Sequence, residues 1–214
     1  MEDEPLSIKC VLLGESGTGK SSLIERFINN TFKRDTLSTL IGSFSSKLVY
    51  YEKENISIRF DIWDTAGQEK YRSINKIFYQ DAQVTFLVYD ITQKETYDAI
   101  KGYWYQEVKD NSPEDAIIFV LGNKSDLYER EALNEEDARK YAEDINALYK
   151  LVSAQNGEGI EDIFKMIGGK LLTPEFLNRI KEDSNNNIIN NHRNSIKNIT
   201  VEDNKVLKKK RKCC

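Results

Sequence analysis

The 214-residue chain is long enough for one well-buried domain with a tail. Hydrophobic residues make up 39% and charged residues 31%, an ordinary globular balance, and the net charge of −4 gives no reason to expect general nucleic-acid binding. No apolar run approaches the roughly 18 residues that span a bilayer. The acidic start Met1–Ser7 lacks the apolar stretch of a secretory signal, and Glu2 excludes the usual myristoylation signal.

In chain order, Ser7 to Leu13 predicts a short apolar strand, with Cys10 inside it as a small core residue. A Gly-rich turn from Gly14 to Gly19 follows. Lys20 to Asn29 then carries Leu23, Ile24 and Phe27 at helical spacing. Thr31 to Ser43 has no regular period and reads as a loop. Lys47 to Glu52 and Ile56 to Trp63 predict two strands joined at Glu54-Asn55. The second alternates Ile56, Ile58, Phe60 and Ile62 with Ser57, Arg59 and Asp61.

Val84 to Tyr89 and Ile117 to Leu121 are continuous apolar runs, as in strands buried on both faces. Lys94 to Lys109 between them suits a helix. Asn134 can cap another helix running to about Leu148. Leu151-Val152 is a last short strand, and Ile160 to Leu172 a final helix. Strands alternating with helices imply an α/β fold, a mostly parallel sheet covered on both faces. Near Asp183 the composition shifts: Ser184 to Asn191 is Asn-rich and Lys208 to Lys212 is unbroken positive charge. Residues 7–174 are therefore expected to form the folded domain, 175–182 a helix end or linker, and 183–214 a flexible tail.

Gly14-Glu-Ser-Gly-Thr-Gly19-Lys20-Ser21 fits G-x-x-x-x-G-K-[ST], with an apolar strand before it and a helix after it. Glycines let the backbone turn so that successive N–H groups face a phosphate, and the helix N-terminus adds its dipole. Lys20 can neutralise β and γ phosphates, and the Ser21 hydroxyl can ligate Mg²⁺.

Asn123-Lys-Ser-Asp126 follows a buried run, at a strand's C-terminal end where ligands sit in open α/β sheets. A carboxylate there can accept from both guanine N1–H and the 2-amino group, a pair of donors that adenine does not offer. Asp64-Thr-Ala-Gly67-Gln68-Glu69 follows the alternating strand. Asp64 can hold Mg²⁺ through water, Gly67 can offer its N–H to a γ-phosphate, and Gln68 can orient an attacking water. A nucleoside or nucleotide kinase would share the phosphate loop but has no use for Asn123 to Asp126. Gln68, Asp64 and Thr39 all being present argues against a module that holds GTP without turning it over.

These segments together resemble the Ras superfamily of small GTPases, and within it the Rab branch. Gly14 to Ser21, Trp63 to Glu69, Asn123 to Asp126 and Ser153-Ala154 stand in the family's order and spacing over about Ile8 to Leu172. The Rab-like details are Gln68 to Ile74, Phe78 to Ala82 and Leu87 to Thr92. The resemblance implies a P-loop NTPase of the small G-domain type, with a six-stranded sheet, binding GTP or GDP with Mg²⁺. It implies that nucleotide contacts come from Glu15, Ser16, Gly17, Thr18, Gly19, Lys20, Ser21 and Ser22 of the phosphate loop. Further contacts would come from Phe32, Thr39 and Gly67, from Asn123, Lys124 and Asp126, and from Ser153, Ala154 and Gln155.

Phe32 would stack near the base edge, Ala154 N–H would meet the guanine carbonyl, and Ser21, Thr39 and Asp64 would surround the metal. Thr39 would engage metal and γ-phosphate only in the GTP state, and Gln68 would be the catalytic residue. Phe44, Trp63 and Tyr79 look like the aromatic set that Rab effectors read, although the same rings would also suit a core. Two details depart from the pattern. Gly42 sits one place later after Thr39 than is usual, and Gln155 replaces a common Lys.

No arginine is obvious as a finger in cis, so turnover is expected to be slow until an activating protein helps. An exchange factor, effectors and a GDI-type escort complete the partners that the resemblance implies for a monomeric switch. Lys208 to Lys212 can be drawn to anionic lipid. Cys213-Cys214 is not a C-a-a-X box, but the Rab likeness implies a prenyl group on each, since two signals anchor stably. The expected place is the cytoplasmic face of an internal membrane, with a cytosolic pool. A nuclear-import run or a plain solvated end is the other reading of the basic stretch.

Overall fold

The computed structural model describes residues 5–34, 39, 42–65 and 78–174. Its chain divides into two compact units, residues 1–167 and 168–214. In the second, the described residues are the last turn of a helix and its exit, where Leu172 N–H donates to Gly168 C=O.

The first unit is built on one six-stranded sheet. Its strands are β1 (Leu6–Leu13), β2 (Ser43–Tyr51), β3 (Ile56–Asp64), β4 (Val84–Asp90), β5 (Ile117–Asn123) and β6 (Leu148–Val152). The order across the sheet is β2-β3-β1-β4-β5-β6. Only β2 runs antiparallel, paired with β3 from Ser43↔Asp64 to Tyr51↔Ile56, and every other pair is parallel. This is the fold expected from alternating strands and helices. β4 is buried at every position, which explains its unbroken apolar run.

Among the described residues, four longer helical segments cover the two faces. They are α1 (Lys20–Asn29), α2 (residues 94–111), α3 (Glu135–Asp144) and α4 (Ile160–Leu171). On one face Val11, Leu13, Leu87 and Val120 meet Tyr97, Ile100, Trp104 and Val108 of α2 and Ala138 and Ala142 of α3. On the other, Leu12, Ile62, Phe86 and Leu121 meet Leu23 and Phe27 of α1 and Ile163 and Phe164 of α4. The alternate residues of β1 thus feed both layers. Cys10 is buried in the same strand, and burial pushes its thiol well above the ordinary range, as suits a packing residue.

Several boundaries differ from expectation. β2 begins at Ser43, not Lys47, because pairing with β3 extends through the polar Ser-Phe-Ser-Ser stretch. α3 ends at Asp144 rather than near Leu148. Asn146 turns left-handed (φ 56°) and Ala147 N–H closes back on Ala142 C=O at 2.7 Å, so the chain leaves the helix and enters β6 three residues earlier than Leu151. α2 is not uniform: a π-helical stretch, Ile100–Trp104, separates α-helical Lys94–Ala99 from Tyr105–Asn111. Asn55 does take the left-handed corner of the β2–β3 hairpin (φ 55°), and the Asn134 side chain accepts from Glu136 N–H at 3.0 Å as the N-cap of α3.

Candidate functional site

Most of the sequence-picked residues converge on one cavity of about 370 Å³ at the C-terminal ends of β1, β3 and β5. From the loop after β1 come Ser16, Gly17 and Gly19, and Lys20 opens α1. From α1 come Ser21 and Ser22, and Phe32 and Thr39 follow. Asn123, Lys124 and Asp126 close it from after β5, and Ala154 and Gln155 from after β6. Glu15, Thr18 and Ser153 are not part of this wall, and Thr18 and Ser153 are buried. Lys33, Arg34, Thr65 and Leu127 also line it; of these only Thr65 falls within a motif, which gives it no role.

On the phosphate side the backbone does most of the shaping. Gly19 is left-handed (φ 90°), and a Cβ there would stand 2.4 Å from the Asn123 amide nitrogen, so the turn into α1 admits only glycine. Lys20 is buried, and its Nζ donates to the carbonyls of Gly14 (2.8 Å) and Glu15 (2.9 Å). Burial pulls its pKa down to about 8, against the opposite pull of Asp64 and Glu15. The Glu15 carboxylate accepts from Trp104 Nε1 at 3.0 Å, so the π-helical stretch of α2 reaches the phosphate loop.

Three oxygens meet beside Lys20. Ser21 Oγ lies 2.7 Å from Thr39 Oγ1 and donates to Asp64 Oδ2 at 2.5 Å, and Thr39 Oγ1 donates to the same oxygen at 3.3 Å. Asp64 Oδ1 is buried without a hydrogen-bond partner among the described residues. Burial holds the Asp64 pKa above its usual value, opposed by the bonds from Ser21 and Thr39 and by the Lys20 charge. One carboxylate and two hydroxyls are hard oxygen donors, and the buried Oδ1 has no partner among the described residues, so the set fits Mg²⁺. Thr39 takes this place despite the late glycine after it. A Cβ on Gly42, just before β2, would stand 2.7 Å from the Phe78 ring and 2.9 Å from the Asp64 carbonyl, so the shifted glycine sits where there is no room for a side chain.

On the base side, side chains hold other side chains. Asn123 is buried, donates to Thr18 C=O at 2.7 Å and accepts from Ala154 N–H at 3.2 Å, tying the phosphate loop to the loop after β6. Lys124 is left-handed (φ 70°), with its Nζ 2.5 Å from the buried Asp90 Oδ2. Asp90 Oδ1 accepts from Thr92 N–H (2.9 Å) and its hydroxyl (2.7 Å). Ser153 Oγ donates to Asp126 Oδ1 at 2.5 Å and accepts from the N–H groups of Gln155 and Asn156. Asp90 lies in the Rab-like segment Leu87 to Thr92, which gives it no role, and the covered carboxylate at the end of β4 was the signal available.

The aromatic set needs one correction. Phe44 is 53% exposed and its ring sits 5.1 Å from that of Trp63, which in turn lies 5.5 Å from Phe78. Tyr79, the residue expected to face outward with them, is 1% exposed, in the core under α2, with its hydroxyl donating to Glu107 at 2.6 Å. Phe78 takes the place beside Trp63. Gly67 and Gln68, the basic run Lys208–Lys212, and Cys213 and Cys214 lie outside the described residues, as does the expected tail.

Comparison with known proteins identifies the family. The chain matches the Ras family over residues 9–173. It is 41% identical to the Ras-related protein RabJ of Dictyostelium discoideum over 173 residues, 79% of this chain and 66% of that protein. It is 36% identical to the GTP-binding protein YPT52 of Saccharomyces cerevisiae over 193 residues, 78% of this chain and 82% of that one. It is also 36% identical to human Ras-related protein Rab-22A over 164 residues, 77% of this chain and 83% of the relative. The chain thus spans just under two thirds of RabJ's length and more than four fifths of the other two.

Proposed function

The chain belongs to the Ras family, in its Rab branch, and from that premise we propose that it is a guanine-nucleotide switch. It binds GTP and GDP, hydrolyses GTP slowly, and recruits effectors in its GTP form to regulate vesicle and membrane traffic. The observation that supports this most is a single cavity that gathers Lys20, Ser21 and Thr39 together with Asn123, Asp126 and Ala154.

Lys20 Nζ, held over the loop by two carbonyls, is positioned to take β- and γ-phosphate oxygens. Asp126 accepts from guanine N1–H and the 2-amino group, and a site built on such paired bonds rejects a base lacking the donors by roughly 10⁴–10⁵-fold. Ala154 N–H meets the guanine carbonyl and Phe32 stacks near the base edge. Ser21, Thr39 and Asp64 would hold Mg²⁺, which when bound neutralises charge on the β- and γ-phosphate oxygens. Gln68 orients the attacking water, and Gly67 N–H holds the γ-phosphate. Loss of that phosphate releases the segments at Thr39 and Gly67, and this is the switch.

An exchange factor, an activating protein and effectors are the partners of such a switch, the last reading Phe44, Trp63 and Phe78. Intrinsic turnover is slow, and an activating protein raises it roughly 10³–10⁵-fold. In single-turnover hydrolysis, Gln68→Leu is expected to slow GTP cleavage at least about tenfold while leaving GTP affinity unchanged. Equal rates in parent and variant would remove Gln68 from the mechanism.

Among the described residues no helix is long and apolar enough to cross a membrane. Attachment to the cytoplasmic face of an internal membrane is assigned to prenyl groups on Cys213 and Cys214, helped by Lys208 to Lys212. A GDI-type escort would then carry the cytosolic pool. Replacing both cysteines by Ser should move the protein to the soluble fraction, and retention on membranes would exclude the anchor.

A further inference from the structure

Arg26 lies outside the cavity, in the last turn of α1, and none of the nucleotide motifs includes it. Its guanidinium nevertheless makes four hydrogen bonds. Nε donates to Ala154 C=O at 2.9 Å and Nη2 to Gln155 C=O at 2.5 Å. Nη1 donates to Asn30 C=O at 2.9 Å and to Asn30 Oδ1 at 3.1 Å. Among the described residues every acceptor is an uncharged oxygen, so this is no surface ion pair. Asn30 is the left-handed end of α1 (φ 54°), with its own N–H donating back to Arg26 C=O. Phe32 follows two residues later on the cavity wall. Across the fork, Ala154 is buried and also on that wall. The two walls are thus joined through one planar side chain, 128 residues before Ala154 in sequence.

We propose that Arg26 is a positioning residue for base recognition. It clasps the loop carrying Ala154 to the turn that leads to Phe32, and so holds that loop where the Ala154 N–H, which here donates to Asn123 Oδ1 at 3.2 Å, can take the guanine carbonyl. This rests on the guanine-nucleotide reading. The physical reason is the rigidity of the fork. Ser153 Oγ already holds the N–H groups of Gln155 and Asn156 from one side, and Arg26 holds the carbonyls of Ala154 and Gln155 from the other. The loop is fixed through both its donors and its acceptors. Only a guanidinium offers enough donors in one plane to reach three backbone carbonyls. A Lys ammonium has three donors at a single point and cannot span them.

The test is dissociation of ribose-labelled diphosphates from parent, Arg26→Ala and Arg26→Lys proteins. Tight binding of GDP by the parent checks the underlying reading separately. Charge-assisted bonds carry enough energy that Arg26→Ala should release GDP about 10- to 100-fold faster, with Arg26→Lys in between. Inosine diphosphate keeps the carbonyl and loses the 2-amino group, so the substitution should accelerate its release by the same factor. In 6-thioguanosine diphosphate, sulfur replaces the carbonyl oxygen as a weak acceptor, and the factor should shrink several-fold. The same pattern in Arg26→Lys carries the test if Arg26→Ala does not fold. Equal factors for GDP and the thio analogue would mean general loosening and overturn the proposal, as would unchanged GDP release in both variants.

Discussion

The phosphate side and the base side of the cavity are built by opposite means. On the phosphate side a contiguous stretch, Gly14 to Ser21, supplies shape and charge, and its main internal tie is one buried lysine bonded to the carbonyls of its own loop. On the base side, four distant segments hold one another through side chains. Asn123 joins Thr18 to Ala154, Ser153 joins Asp126 to its own loop, and Asp90 pairs with Lys124. A phosphate is recognised by any converging row of N–H groups and a cation, so a local turn suffices. A base edge must be matched by donors and acceptors in fixed directions, and that takes a supporting network.

If this contrast is right, damage on the phosphate side should be large and indifferent to the base. Lys20→Ala is expected to weaken GDP and inosine diphosphate alike, by at least about 10³-fold in a fluorescence titration, because a desolvated charge partner of the phosphates is lost. Asp126→Asn should be smaller and selective. GDP should weaken about 10²–10³-fold, while xanthosine diphosphate, whose 2-carbonyl matches the new amide N–H, should gain. The variant keeps an acceptor for Ser153, so the loop itself should stand. A uniform loss across bases would erase the distinction. Smallest is Asp90→Asn. It leaves acceptors for Thr92 but removes the charge beside Lys124, and about tenfold faster GDP release is expected in a chase experiment, with melting temperature little changed.

The same contrast decides what could be read in the sequence. Lys20, Ser21 and Asp64 were legible because their roles follow from local pattern: a glycine turn before a helix, and a carboxylate at the end of an alternating strand. Asn123 and Asp126 were legible as a motif, but the residues that hold them were not. Arg26, Asp90 and Trp104 reach the site only after the sheet has ordered strands far apart in the chain. A carboxylate after an apolar run looks the same whether it pairs with Lys124 or with water. Tyr79 and Phe78 show a second limit. Successive residues on a helical turn point about 100° apart, so one faces the core and the other faces Trp63, and composition does not say which. The end of α3 shows a third, since the left-handed turn at Asn146 competes with a helical pattern that otherwise runs on.

The most direct measurement of the central claim is displacement of labelled GDP from the purified protein by unlabelled nucleotides in the presence of Mg²⁺. GTP and GDP should displace the label at near-stoichiometric concentration, while ATP at about thousand-fold excess leaves it bound. Displacement by ATP as readily as by GTP would contradict the reading of Asp126 and its supporting network as a guanine site.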